Sequence, residues 1–194
     1  MRTATSIWVA SVAFVLSTSP ASTRFVTFND PAMNFTFSYP DDFQSLPSTE
    51  PLLEGCLLIP LRLKGKSERP YERILVDETD YACLHRGAPE IGSITKNTEY
   101  DLMKVYGDLE MGEPSKFLLD GHPAAFIRAT AKVGGPMKGL EPGMTLYGAQ
   151  TCVLIGQRIA CWNVLSSDLP RLGKLLSGKV AFRGGPAQAW TPSP

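Results

Sequence analysis

Between residues 33 and 39 large apolar side chains alternate with polar ones. Met33, Phe35, Phe37 and Tyr39 fall on one side, and Asn34, Thr36 and Ser38 on the other. A period of two marks a half-buried strand. Pro40 has no N–H to give a ladder, and Asp41 and Asp42 suit the turn after it. A short strand is expected at 25–28, before the turn signal Asn29-Asp30-Pro31, and a longer one at 56–63, where Pro60 implies an edge or a bulge. A charged loop then runs from 64 to 73, and a strand begins at 74–76.

The period changes at 98–111. Leu102, Val105, Tyr106 and Leu109 recur at helical spacing, with Thr98 as cap and Gly112 as stop, so the pattern predicts a helix. Strands at 116–119 and 124–133 flank the turn Asp120-Gly121-His122-Pro123. Residues 145–155 and 157–165 form the strongest hairpin signal, with Gly156-Gln157 at the centre of a type II′ turn. Ser167 is expected to cap a second helix with an apolar stripe of Leu169, Leu172, Leu175 and Leu176, ended by Gly178. A short strand follows at 179–182.

The N-terminus adds a processing signal. Arg2 precedes an apolar run at 7–16, which is too short to span a bilayer, and Ser19-Pro20-Ala21 offers small residues for cleavage. The expected organisation is a signal peptide at 1–21, one domain at 22–183 and a disordered Gly/Pro-rich tail at 184–194. Without Arg2 the 19 basic residues fall to 18 against 19 acidic, a net charge of −1. That balance argues against nucleic acid, and no other window reaches the length of a membrane span.

Four cysteines, Cys56, Cys83, Cys152 and Cys161, in an exported chain imply two disulfides, and four cysteines allow three connectivities. With Gly156-Gln157 at the turn, Cys152 falls opposite Cys161 in a non-hydrogen-bonded pair, where side chains approach most closely. Cys56 and Cys83 then pair by elimination. The alternative is that both hairpin cysteines cross to the other two. Metal-type C-x-x-C spacing does not occur in the sequence, and the two histidines lie far apart.

The chemistry-bearing candidates are few. His122, with Asp120 or Glu141, could form a hydrolase-like pair if a carboxylate reached the ring. His85 beside Cys83 would need a reduced thiol. Gly134, Gly135 and Gly139 lack the order of a phosphate-binding loop. The basic stretch Lys64, Lys66, Arg69 and Arg73 is interrupted by Glu68 and Glu72 and reads as a solvated loop. Asp41 and Asp42 are weak as metal ligands without further carboxylates, and Asn34-Phe35-Thr36 is a glycosylation acceptor within a strand. No catalytic residue, cofactor or metal is implied.

Three stretches carry a resemblance. FTFSYPDDF at 35–43, FLLDGHPAAFIRATA at 117–131 and DLPRLGKLLSGKVAF at 168–182 resemble the photosystem II extrinsic protein P (PsbP-like) family. The Ran-binding nuclear import factor shares its fold. The resemblance implies an α+β class, an antiparallel β-sheet with helices packed on its faces as an α/β/α sandwich. It also implies an accessory or binding role. The expected function is an exported domain, secreted or periplasmic, that binds a protein or a small apolar ligand. The alternative is the His122 hydrolase.

Overall fold

The structure, a computed structural model, describes residues 23–29, 35–46, 57–67, 70–82, 90, 107–135 and 140–192. The signal at 1–21, Cys56, Cys83 and His85 lie outside the described residues.

Alternation becomes strand wherever a partner can use it. β1 (Phe25–Asn29) and β2 (Phe35–Pro40) pair antiparallel, with Phe28 opposite Phe37. Phe35 and Phe37 are buried, while Thr36 and Ser38 on the other face keep partial exposure. β3 (Phe43–Ser45), β4 (Leu57–Gly65) and β5 (Glu72–Asp80) follow, and the β4–β5 register shifts between Leu58 and Leu61, across Pro60. That is the bulge a proline without a donor produces.

Next come β6 (Gly107–Met111), β7 (Ser115–Leu119), β8 (His122–Val133), β9 (Thr145–Ile155) and β10 (Arg158–Ser166). The helix α1 (Leu169–Leu175), β11 (Lys179–Phe182) and β12 (Gln188–Ala189) complete the order. The strands form two antiparallel sheets. One has four strands in the order β1-β2-β11-β12. The other has eight, in the order β3-β4-β5-β10-β9-β8-β6, with β7 also on β8.

The expected sandwich with helices on the faces of one sheet is therefore corrected. The described chain is mostly antiparallel strand, and its one helix has seven residues. Residues 107–111, read as the end of a helix, are strand β6. Asp108 and Glu110 are exposed there, while Leu109 and Met111 are half-buried, so a period of two lay beneath the helical stripe. Pairing with the 12-residue β8 decides between the two patterns, as tertiary context does when propensity is weak. Residues 98–106 lie outside the described residues. Met111 faces Ala129 and Ser115 faces Phe126, so 112–114 oppose only two residues of β8, and Pro114 sits in that bulge.

The two sheets meet at Trp162, which is 0% exposed. Its ring centroid lies 5.1 Å from that of Phe35 and 6.3 Å from that of Phe37. Leu172 and Leu175 of α1 and Val180 and Phe182 of β11 join the same core. The stretch at 184–194 was expected to be disordered, but through 192 it is built into the fold. β12 pairs with β11, Trp190 is fully buried, and Thr151 Oγ1 donates to the Trp190 carbonyl at 2.9 Å. The burial of one large indole outweighs the polar, Gly/Pro-rich composition around it.

Turn chemistry sets the registers. Gly156 has φ 62°, and Gln157 has no positive φ, as a type II′ turn requires. Asp120 and Gly121 both have positive φ, 51° and 78°, the type I′ pattern. His122 is thus the first residue of β8, opposite Leu119, and not part of the turn. Gly178 is required for another reason. A Cβ there would stand 2.6 Å from the Ser38 carbonyl oxygen, where the chain leaving α1 crosses β2.

Candidate functional site

The face of the large sheet turned away from Trp162 is apolar along most of its length. Ala125 and Ile127 are buried on it, and Leu75, Leu154 and Leu165 are half-buried. Among the polar side chains on it are Asp77 on β5, Asn163 on β10 and Gln150 on β9, one on each of three successive strands. Asn163 faces Gln150 across β9–β10, and Asp77 faces Cys161, two residues before Asn163. Asn163 Nδ2 donates to Asp77 Oδ2 at 3.1 Å.

Gln150 is 7% exposed, and its Oε1 is buried with no hydrogen-bond partner. Burying an amide oxygen without a donor is unfavourable. Burial pushes the Asp77 carboxyl up to about 7, against the pull of the Asn163 hydrogen bond. Asp77 and Asn163 keep partial exposure, so the row is open at the β5 end and closed at Gln150.

The disulfide lies in the adjacent row. Cys152 and Cys161 face each other across the hairpin with Cα atoms 4.1 Å apart and are bonded, as the turn position implied. They pack with Ile159, Leu154 and Tyr81. Replacing both by alanine is expected to lower stability by about 2–3 kcal/mol, the loop-closure contribution of a short cross-link. Urea unfolding of the oxidised chain against the double variant reads this. Equal midpoints would mean that the turn alone fixes the hairpin.

Asp77 also gives a pH dependence. Its folded carboxyl titrates at about 7 and its ordinary value is 3.8, so between these values the folded chain holds a proton that the unfolded chain has lost. This contribution is fully present below about 3.8 and is lost as pH rises through about 7. Solvent reaches part of Asp77, so the loss is on the order of 2 kcal/mol, less than full burial would give. Asp77→Asn should flatten that part of the stability–pH curve and stabilise the chain at pH 8. A variant that tracks the parent at every pH would assign the slope to another group.

A second polar cluster surrounds α1. Asp168 caps the helix, accepting from Arg171 N at 2.9 Å, and Pro170 sits in the first turn. Ser167, the expected cap, instead accepts from Tyr71 N at 2.9 Å and ties the helix start to β5. Arg171 Nε donates to Glu72 Oε1 at 2.6 Å, and its Nη2 pairs with Asp42 Oδ2. One guanidinium thus joins the turn after β2, strand β5 and the helix. Glu72 is 5% exposed, and burial pushes its carboxyl above the usual range despite Arg171. These residues line a cleft of about 360 Å³ with Ser67, Pro70, Asp168, Pro170 and Lys174. Two carboxylates occupy Arg171, so it serves better as a structural tie than as an anion receptor.

The sequence-derived candidates are dispersed. His122 is half-buried with its ring against Phe182, centroids 5.2 Å apart. Asp120 is exposed on the neighbouring turn, with Oδ2 2.5 Å from where a Gly185 Cβ would stand. Glu141 lies beside Met144, whose carbonyl accepts from Val133 at the far end of β8. No hydrogen bond joins His122 to a carboxylate among the described residues. Asp41 and Asp42 do not form a metal site, since no described group of three His, Cys, Asp or Glu could hold an ion.

Two packed antiparallel sheets closed by a short helix define the class. The fold is PsbP-like. The chain is similar to the solution structure of cyanobacterial PsbP (CyanoP) from Synechocystis sp. PCC 6803, with a TM-score of 0.53 and 13% identity over 86% of this chain and 90% of that one. It is also similar to LpqN, involved in cell envelope biogenesis of Mycobacterium tuberculosis, with a TM-score of 0.46 and 14% identity over 79% of this chain and 84% of that one. No protein family model matches the chain, and no curated protein matches it.

Proposed function

We propose that this chain is an exported accessory domain, secreted or periplasmic, that acts by binding a small, mainly apolar ligand at the face of its large sheet turned away from Trp162. The observation that carries the reading is the row Asp77–Asn163–Gln150. It holds hydrogen-bonding capacity inside an apolar surface, with Gln150 Oε1 unpartnered. Ligand sites combine an apolar lining with a few convergent polar groups in this way. Export is supported by the apolar run at 7–16 and by the Cys152–Cys161 disulfide, a bond favoured in oxidising compartments. Among the described residues no helix is long and apolar enough to cross a membrane. His122, held against Phe182, serves packing on this reading.

Native mass spectrometry of the mature protein, isolated from its own host, tests the proposal. A bound mass should accompany the parent and be lost from Gln150→Leu, with both chains lacking residues 1–21. The proposal fails if the chain retains 1–21, or if both proteins carry the same mass.

A further inference from the structure

The chain beyond β11 is anchored by a single buried side chain. Of residues 184–192 only Trp190 is buried, while Gly184, Pro186, Ala187 and Ala189 are exposed. β12 meets β11 at two residue pairs, Lys179–Ala189 and Val180–Gln188. The segment leaves β11 through Gly184, at φ 81°, and Gly185, whose N–H donates to the Phe182 carbonyl at 2.9 Å. The Trp190 ring lies 6.1 Å from that of Phe37, centroid to centroid, and a Cβ on Gly178 would stand 3.3 Å from its Nε1. The Trp190 carbonyl accepts from Thr151 of β9, so the residue reaches from the small sheet to the large one. The fit is imperfect. Trp190 Nε1 and Gln188 Nε2 are buried without a hydrogen-bond partner. Each unmet donor raises the free energy of the closed arrangement.

We propose that residues 184–192 are a displaceable plug, and that the slot filled by Trp190 is a docking site for an extended peptide carrying an aromatic side chain. The incoming ring takes the place beside Phe37 and Gly178, and a peptide carbonyl accepts from Thr151 Oγ1. The peptide backbone pairs along β11 in place of β12, as strand addition does. A peptide suits the slot better than a free aromatic molecule, because Thr151 reads a main-chain carbonyl and β11 offers a ladder. The native segment can be outcompeted because one indole and two ladder pairs hold it, against two unmet donors. The peptide draws the chain open by as much as its own contacts exceed those of the plug. Thr151 faces Trp162, so this slot lies on the other side of the large sheet from Asp77, Asn163 and Gln150 and does not rest on the binding role proposed above.

Two measurements on the oxidised chain test this. The first is hydrogen exchange of the indole N–H groups of Trp190 and Trp162, both buried and without a partner. Trp190 should exchange about tenfold or more faster, because the plug opens locally while Trp162 waits for the sheets to part. Equal rates would mean that the segment opens only with the whole domain, and they overturn the proposal. The second uses a synthetic peptide of residues 184–194 as the probe, read by the chemical shift of the Thr151 methyl group. It should bind the Trp190→Ala chain about tenfold or more tightly than the parent, whose slot is open in only a minor population. The same peptide with Trp190→Ala should bind neither chain. Equal affinity for the two chains, equal affinity of the two peptides, or no binding at all overturns the docking site. If Trp190→Ala does not fold, the exchange rates in the parent decide.

Discussion

Trp162→Ala is expected to lower stability by about 4 kcal/mol, the scale of emptying a large aromatic site in a core. The indole is 0% exposed and lies between Phe35 and Phe37 of the small sheet and its own large sheet, where Val76 and Thr151 face it on the flanking strands. Removing it opens a cavity between the sheets that neither can close without breaking its own ladder. For a domain of this size the loss should appear as a fall in Tm of roughly 10–15 °C. Trp162→Phe separates volume from polarity. Its Nε1 has no partner, so phenylalanine discards an unsatisfied donor while keeping most of the ring. The phenylalanine variant should therefore lose far less than the alanine one. Equal losses would mean that the indole N–H, and not ring volume, matters at this seam.

Arg171→Ala is expected to cost about 3 kcal/mol, because it leaves Glu72 buried without its counter-charge. The Asp42 arm contributes little of this, since that carboxylate is 50% exposed. Arg171→Lys should recover only part of the loss, because one ammonium cannot span both carboxylates with a planar fork. The double variant Glu72→Leu/Arg171→Met should recover most of it, as apolar replacements of buried ion pairs often do. A double variant as unstable as Arg171→Ala would place the effect in helix packing. Gly65 is part of the same tie: a Cβ there would stand 2.9 Å from Glu72 Oε2, so glycine lets the carboxylate lie across β4.

What could be read from the chain follows the range of the interactions. Phe35 and Phe37 of the FTFSYPDDF stretch face the core, as their alternation implied, and the polar face keeps partial exposure. The role of Asp42 depends on Arg171, 129 residues away, which no local pattern reveals. The hairpin register was legible because a glycine turn and a period of two act over a few residues. The same register, extended two residues beyond the disulfide, already sets Gln150 opposite Asn163. That signal could have located part of the row. Asp77 could not be found so, because β5 joins β10 by pairing residues about 80 positions apart. The helix expected at 98–111 gave way at 107–111 because β8 offered a ladder that helical spacing could not foresee.

The central claim is that Asp77 is a half-buried carboxylate that no cation among the described residues pairs with. The 13Cγ shift of Asp77, followed from pH 3 to pH 9 in the oxidised mature chain, tests it most directly. The account predicts a midpoint at about 7. A midpoint near the ordinary 3.8 would show a solvated or charge-paired side chain and would contradict it.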